Sequence, residues 1–212
     1  MGARTVLCYG DSNTHGTLPL HNLGERRRLG PDERWPGVLA GESGSAWLVI
    51  EEGHGGRTTV HPDPVTGVHK NGLAVLPAIL ESHRPLDVVV IMLGTNDLKR
   101  RFNMPAIEIG ESVAQLVLAT LRSDCGPDGG APEVLLIAPP PVLETGVLAE
   151  IFEGAAGKSK RLGSVIAAVA EKLGVGFLDA GEVIASSPVD GVHFDAAEHA
   201  KLGRAVAAAL RT

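Results

Sequence analysis

Five apolar runs of strand length recur along the chain, at 5–9, 47–51, 88–93, 134–138 and 176–178, with stretches of helical character between them. The middle runs, Val88-Val89-Val90-Ile91-Met92-Leu93 and Val134-Leu135-Leu136-Ile137, are continuous rather than alternating, as strands covered on both faces require. A parallel sheet is therefore expected. Helices are expected near 35–43, 72–82, 105–122, 155–173 and 196–210, and in the fourth Leu162, Val165, Ile166, Val169 and Leu173 fall on one stripe. This alternation predicts an α/β fold, a three-layer α/β/α sandwich on a five-stranded parallel sheet with flavodoxin-like strand order. Asp195 and Glu198 read as a capping pair that pins the start of the last helix, and Gly126-Pro127-Asp128-Gly129-Gly130 reads as a surface turn.

Three connections, at about 17–34, 54–71 and 139–154, are longer than ordinary strand-helix loops, which marks them as functional or as part of an interface. At 212 residues and 44% hydrophobic content the chain supports one domain, 1–212, with a sizeable core. The formal charge of −6 argues against a nucleic-acid partner. The strongest basic cluster, Arg26-Arg27-Arg28, is flanked by Glu25 and by Asp32-Glu33, and reads as a solvated loop or a subunit contact. No apolar run approaches the roughly 20 residues of a membrane-spanning helix. The first strand begins too early to leave room for a cleavable leader, which points to the cytoplasm. Cys8 and Cys125 make no disulfide framework, and Cys8 reads as a small core residue.

Four short segments carry the chemistry: Gly10-Asp11-Ser12-Asn13, Gly55-Gly56-Arg57-Thr58-Thr59, Gly94-Thr95-Asn96-Asp97 and Asp190-Gly191-Val192-His193. Singly each is weak; in this order and at this wide spacing each supplies one part of an esterase site. On these segments the chain resembles the SGNH (GDSL-type) hydrolases from Val6 nearly to the C-terminus. Glu51-Glu52-Gly53, Ile91-Met92-Leu93-Gly94 and Phe152-Glu153-Gly154 make it most similar, within that family, to bacterial arylesterases that also transfer acyl groups. Asn13 stands where the family's name has leucine.

The resemblance implies Ser12 as nucleophile, His193 as base, Asp190 as the carboxylate orienting it, and Ser12, Gly56 and Asn96 as oxyanion donors. Gly56 is chosen over Gly53 and Gly55 by its place before Arg57-Thr58-Thr59. The roles are chemically coherent. A serine hydroxyl attacks only when an imidazole takes its proton, a carboxylate fixes the imidazole tautomer, and donors aimed at the developing oxyanion are often the largest catalytic term. In a doubly wound sheet all four segments converge beyond the carboxyl ends of the strands. Asp11 and Asp97 read as ties within local turns.

The expected activity is hydrolysis of short acyl or aryl esters, with transfer of the acyl group to alcohols, by a homo-oligomer that needs neither metal nor cofactor. Thioesterase or lysophospholipase-like activity and deacetylation of sugars are the alternatives within the fold. Outside the enzyme class, Gly10 to Gly16 reads as a phosphate-cradling loop of a flavodoxin-like cofactor binder, against which stands an aromatic content of 3%. His54, His61, Asp63 and His69 offer a metal site on one loop, although their spacing matches no tight ligand motif.

Overall fold

The computed structural model describes residues 2–211. Five strands, β1 (Arg4–Gly10), β2 (Trp47–Gly53), β3 (Val88–Met92), β4 (Glu133–Ala138) and β5 (Gly176–Asp179), form one parallel sheet in the order β2-β1-β3-β4-β5. That order is the flavodoxin-like one, with the chain reversing direction of winding at β1.

Alternate side chains of each strand feed two separate cores. Leu7, Tyr9, Val89, Ile91 and Leu136 pack beneath α3 (Gly72–His83), α4 (Ala106–Leu121) and α6 (Leu162–Leu173), where Leu76, Leu80, Val113, Leu116 and Ile166 are fully buried. Val6, Cys8, Val88, Val90 and Ile137 pack on the opposite face beneath α2 (Trp35–Ser43) and α7 (Ala196–Ala209), against Trp35, Leu39, Leu202 and Val206. Each fully buried residue of this size contributes about 1.5–3 kcal/mol through removal from water. Because both faces are covered, β3 is buried at every residue, which is why its sequence does not alternate. The remaining helices are α1 (Ser12–His15), a single turn after β1, and α5 (Ala155–Ser159).

Two expectations need correction. The helix expected over 155–173 is broken between α5 and α6; at the break the Ser159 hydroxyl donates to the Ala156 carbonyl and accepts the Val142 amide at 3.1 Å. Nor do Asp195 and Glu198 form a capping box. The Asp195 side chain caps nothing, and its carbonyl starts α7; the Glu198 carboxylate instead accepts the Ala185 amide at 3.0 Å and pairs with Lys201 at 2.6 Å. Glu198 thus ties α7 to the segment before Asp190.

The long connections are folded back on themselves. The 17–34 excursion closes through Leu18 N to Arg27 O and Leu29 N to Gly16 O, and the 54–71 excursion through Thr58 N to Lys70 O and Gly67 N to Asp63 O. No described helix is long and apolar enough to cross a membrane.

Candidate active site

Ser12 opens α1 directly beyond β1, so its amide has no carbonyl four residues back within a helix and remains a donor. Asp11 caps the turn, accepting from Asn13 N at 2.9 Å, and Gly16 closes it at φ 82°. A side chain at Gly10 would place its Cβ 2.0 Å from Thr14 Oγ1, so only glycine permits so abrupt a strand-to-helix turn.

Gly56 lies beyond β2 at φ 78°, a left-handed conformation that favours glycine. Its position is fixed from the next residue. The Arg57 guanidinium is buried, donates to the carbonyls of Gly10 at 2.8 Å and of Glu52, and sits 4.2 Å over the Tyr9 ring. The second segment is thereby anchored to the end of β1, two residues before Ser12.

Asn96 begins a short 3-10 turn beyond β3. Its Nδ2 donates to Asp11 Oδ2 at 3.2 Å. Asp97, fully buried, accepts from Thr59 N at 3.1 Å and Thr59 Oγ1 at 2.5 Å. Asp11 therefore combines the local tie expected of it with a bond to the third segment. Asp97 departs from the expectation: it bonds the second segment, 38 residues away, because a buried carboxylate needs donors and its own turn supplies too few.

The fourth segment follows β5 yet returns across the sheet to the turn after β1. Asn13 Nδ2 donates to Val192 O at 3.1 Å, and Leu20 N donates to Asp190 Oδ2 at 2.8 Å. Asp190 Oδ1 accepts the amides of Val192 and His193, each at 2.9 Å, and its Oδ2 is 2.6 Å from His193 Nδ1. With Nδ1 as the donor to the carboxylate, Nε2 is the basic nitrogen. Burial raises the Asp190 pKa, but the hydrogen bond and charge of His193 with the amide donors outweigh it and hold the carboxyl at about 2. Asp11 is pushed the other way, to about 6, by burial that the Asn13 amide and the charges of His193, Lys99 and Arg57 only partly offset.

Ser12, Gly56, Asn96 and His193 all line one cavity of about 620 Å³, so the structure brings the expected groups together. Among the described residues no hydrogen bond joins the Ser12 hydroxyl to the His193 ring; such contacts tighten when substrate binds. A second cavity, about 590 Å³, lies at the other end of the strands against Arg4, Val88 and Gly176 and gathers no such chemistry. The loop histidines do not assemble. His54 stacks edge-on to His69 with centroids 5.6 Å apart, His61 lies against Phe102, and Asp63 pairs with Lys99 and Arg101. Among the described residues no three His, Cys, Asp or Glu groups are placed to hold a metal. The sequence reading missed the bond between Asp11 and Asn96 and the buried cation Arg57. Arg57 carried a local signal, an arginine directly after two glycines at the end of a strand.

The family model of the GDSL-like lipase/acylhydrolase family matches residues 8–201. Among solved structures, the native aryl esterase of M. smegmatis is 41% identical, with 99% of each chain covered and a TM-score of 0.93. A carbohydrate acetylesterase from Sinorhizobium meliloti is 38% identical, with 98% of each chain covered and a TM-score of 0.93. A member of the lipolytic G-D-S-L family from Veillonella parvula, at 12% identity and TM-score 0.66 over 95% of each chain, shares the fold. Among curated proteins no match was found.

Proposed function

The chain belongs to the GDSL-like lipase/acylhydrolase family and is an esterase; from that premise we propose that it cleaves short acyl or aryl esters through an acyl-enzyme on Ser12. His193 Nε2 takes the hydroxyl proton as Ser12 Oγ attacks the ester carbonyl. Asp190, at 2.6 Å, holds the ring in the required tautomer and stabilises the imidazolium. The Ser12 and Gly56 amides and Asn96 Nδ2 receive the negative charge on the former carbonyl oxygen. Collapse expels the alcohol or phenol, which takes its proton from His193, and water or a second alcohol then attacks the acyl-enzyme with His193 again as base. This chemistry supplies nucleophile, base and electrostatic stabilisation without a metal or cofactor.

The observation that carries this reading is the convergence of Ser12, Gly56, Asn96 and an Asp190-oriented His193 on one cavity. Labelling with an organophosphonate tests it: the adduct is expected on the peptide containing Ser12, with activity lost in proportion. Activity lost to a label elsewhere overturns the assignment.

The same reading includes acyl transfer to alcohols and assembly into a homo-oligomer. Four of the exposed large apolar side chains, Leu23, Val65, Val68 and Leu143, sit on the three long loops, which supports a subunit contact there. The net charge of −6 favours no nucleic-acid partner. The two cysteines, both buried and free, agree with a reducing compartment such as the cytoplasm. The similarity to the S. meliloti protein favours sugar acetates as a second substrate reading, which a panel of acetylated sugars against aryl acetates separates.

A further inference from the structure

The side chains around the cavity define the substrate further, given that Ser12 is the nucleophile as proposed above. The chain as a whole is acidic, with 19 Lys and Arg against 25 Asp and Glu. Its cavity is the reverse: five cationic side chains, Arg26, Arg27, Lys70, Lys99 and Arg101, line it together with one acid, Glu25. They arrive from three separate segments, the 17–34 loop, the 54–71 loop and the turn after Asn96.

Counter-charges are too few for them. Glu25 pairs with Arg27 at 3.2 Å, and the single carboxylate of Asp63 serves both Lys99, at 3.4 Å, and Arg101, at 2.9 Å. Arg26 donates only to the backbone carbonyls of Leu23 and Glu25, at 3.0 and 2.7 Å, and Lys70 Nζ only to Gly55 O at 2.7 Å. Among the described residues neither has a carboxylate at salt-bridge distance. Lys70 also stands beside the reacting centre: a Cβ built on Gly56 would lie 3.5 Å from Lys70 Cε and 3.8 Å from Lys99 Nζ. The surplus of positive charge is felt by the neighbouring ring of His54, whose pKa falls to about 4 through burial first and then Lys70 and Arg57.

A solvent-filled cleft of one sign attracts ions of the other, and its partly desolvated walls strengthen each charge-assisted hydrogen bond. We propose that the preferred substrates are esters carrying a separate carboxylate or phosphate, bound by Arg26 and Lys70 while the scissile carbonyl reaches Ser12. Phe152, Leu148, Ile151 and Val192 supply the apolar wall for the uncharged part.

Two matched sets of esters, one pair and one trio, test this. In the pair the charge is on the acyl side, 4-nitrophenyl hydrogen glutarate against 4-nitrophenyl pentanoate. In the trio it is on the alcohol side, with acetates of 4-hydroxybenzoate and of 4-hydroxyphenyl phosphate against the acetate of 4-methylphenol. In at least one set an anionic member is expected to have a kcat/KM about tenfold higher than the neutral one at low salt, shrinking at about 0.5 M salt as screening shortens the field's reach. Arg26→Gln and Lys70→Met are each expected to lower the anionic-to-neutral ratio about fivefold, a comparison internal to each protein and independent of how much of it folds. Neutral esters preferred in both sets, or a ratio indifferent to salt and to both substitutions, overturns the proposal while leaving the esterase reading in place. Failure to hydrolyse any of the five esters overturns both.

Discussion

Asn96 Nδ2 and Asp11 Oδ2 are joined by a 3.2 Å hydrogen bond, so the residue adjoining Ser12 also holds the side chain proposed to face the oxyanion. The asparagine has two amide hydrogens; one is committed to Asp11, which leaves the other to point into the cavity. Asn96→Ala removes this donor without touching Ser12 or His193. Turnover is expected to fall about 10²–10³-fold with the KM little changed. Steady-state kinetics beside a thermal melt check this, and a variant with near-normal turnover would make Asn96 structural.

Asp190→Asn keeps the shape of the loop but no longer enforces the His193 tautomer, so turnover is expected to fall on the order of 10³–10⁴-fold. Stability responds with a definite sign. The carboxyl is held at about 2 in the folded protein, below the ordinary aspartate value of 3.8, so its stabilising contribution is full above about 4 and lost as pH falls toward 2. Denaturant midpoints of wild type and Asp190→Asn are expected to differ at neutral pH and to converge across that window. A constant difference would contradict the assignment.

Gly191 joins the two catalytic candidates of the fourth segment at φ 79°, and a Cβ there would lie 2.0 Å from Leu143 O, whose own amide donates to Gly191 O at 2.8 Å. Gly191→Ala therefore combines an unfavourable backbone conformation with a backbone clash. A stability loss of at least about 1–3 kcal/mol is expected by chemical denaturation, together with a drop in turnover as Asp190 and His193 shift. Unchanged stability and turnover would mean that the 139–154 loop yields at no cost.

Hydrolysis and transfer share the acyl-enzyme and differ only in which nucleophile attacks it. With an activated acetate ester and a primary alcohol in dilute buffer, new ester is expected beside free acetate, from a species that sizes as an oligomer. A monomer yielding only acetate removes both expectations; an oligomer yielding only acetate removes the transfer.

The strands were legible because burial on both faces leaves continuous runs such as Val88 to Met92, and the four site segments because each carries residue types with a defined chemical task. What escaped depends on partners distant in sequence. The break after Ser159 is accompanied by a bond to Val142, and the task of Glu198 rests on Ala185. Asp97 is tied to Thr59 rather than to its own turn. The basic cavity escaped for the same reason: Arg26, Lys70, Lys99 and Arg101 form no cluster until three loops meet.

The return of the segment after β5 to the turn after β1 also sets a timetable. During synthesis the candidate nucleophile Ser12 emerges first, then the proposed donors Gly56 and Asn96, and the proposed base His193 only after every strand has been made. Until then Ser12 lacks the proton acceptor proposed for it. Esterase activity should switch on as one late event, when Asn13 captures the Val192 carbonyl and Leu20 captures Asp190.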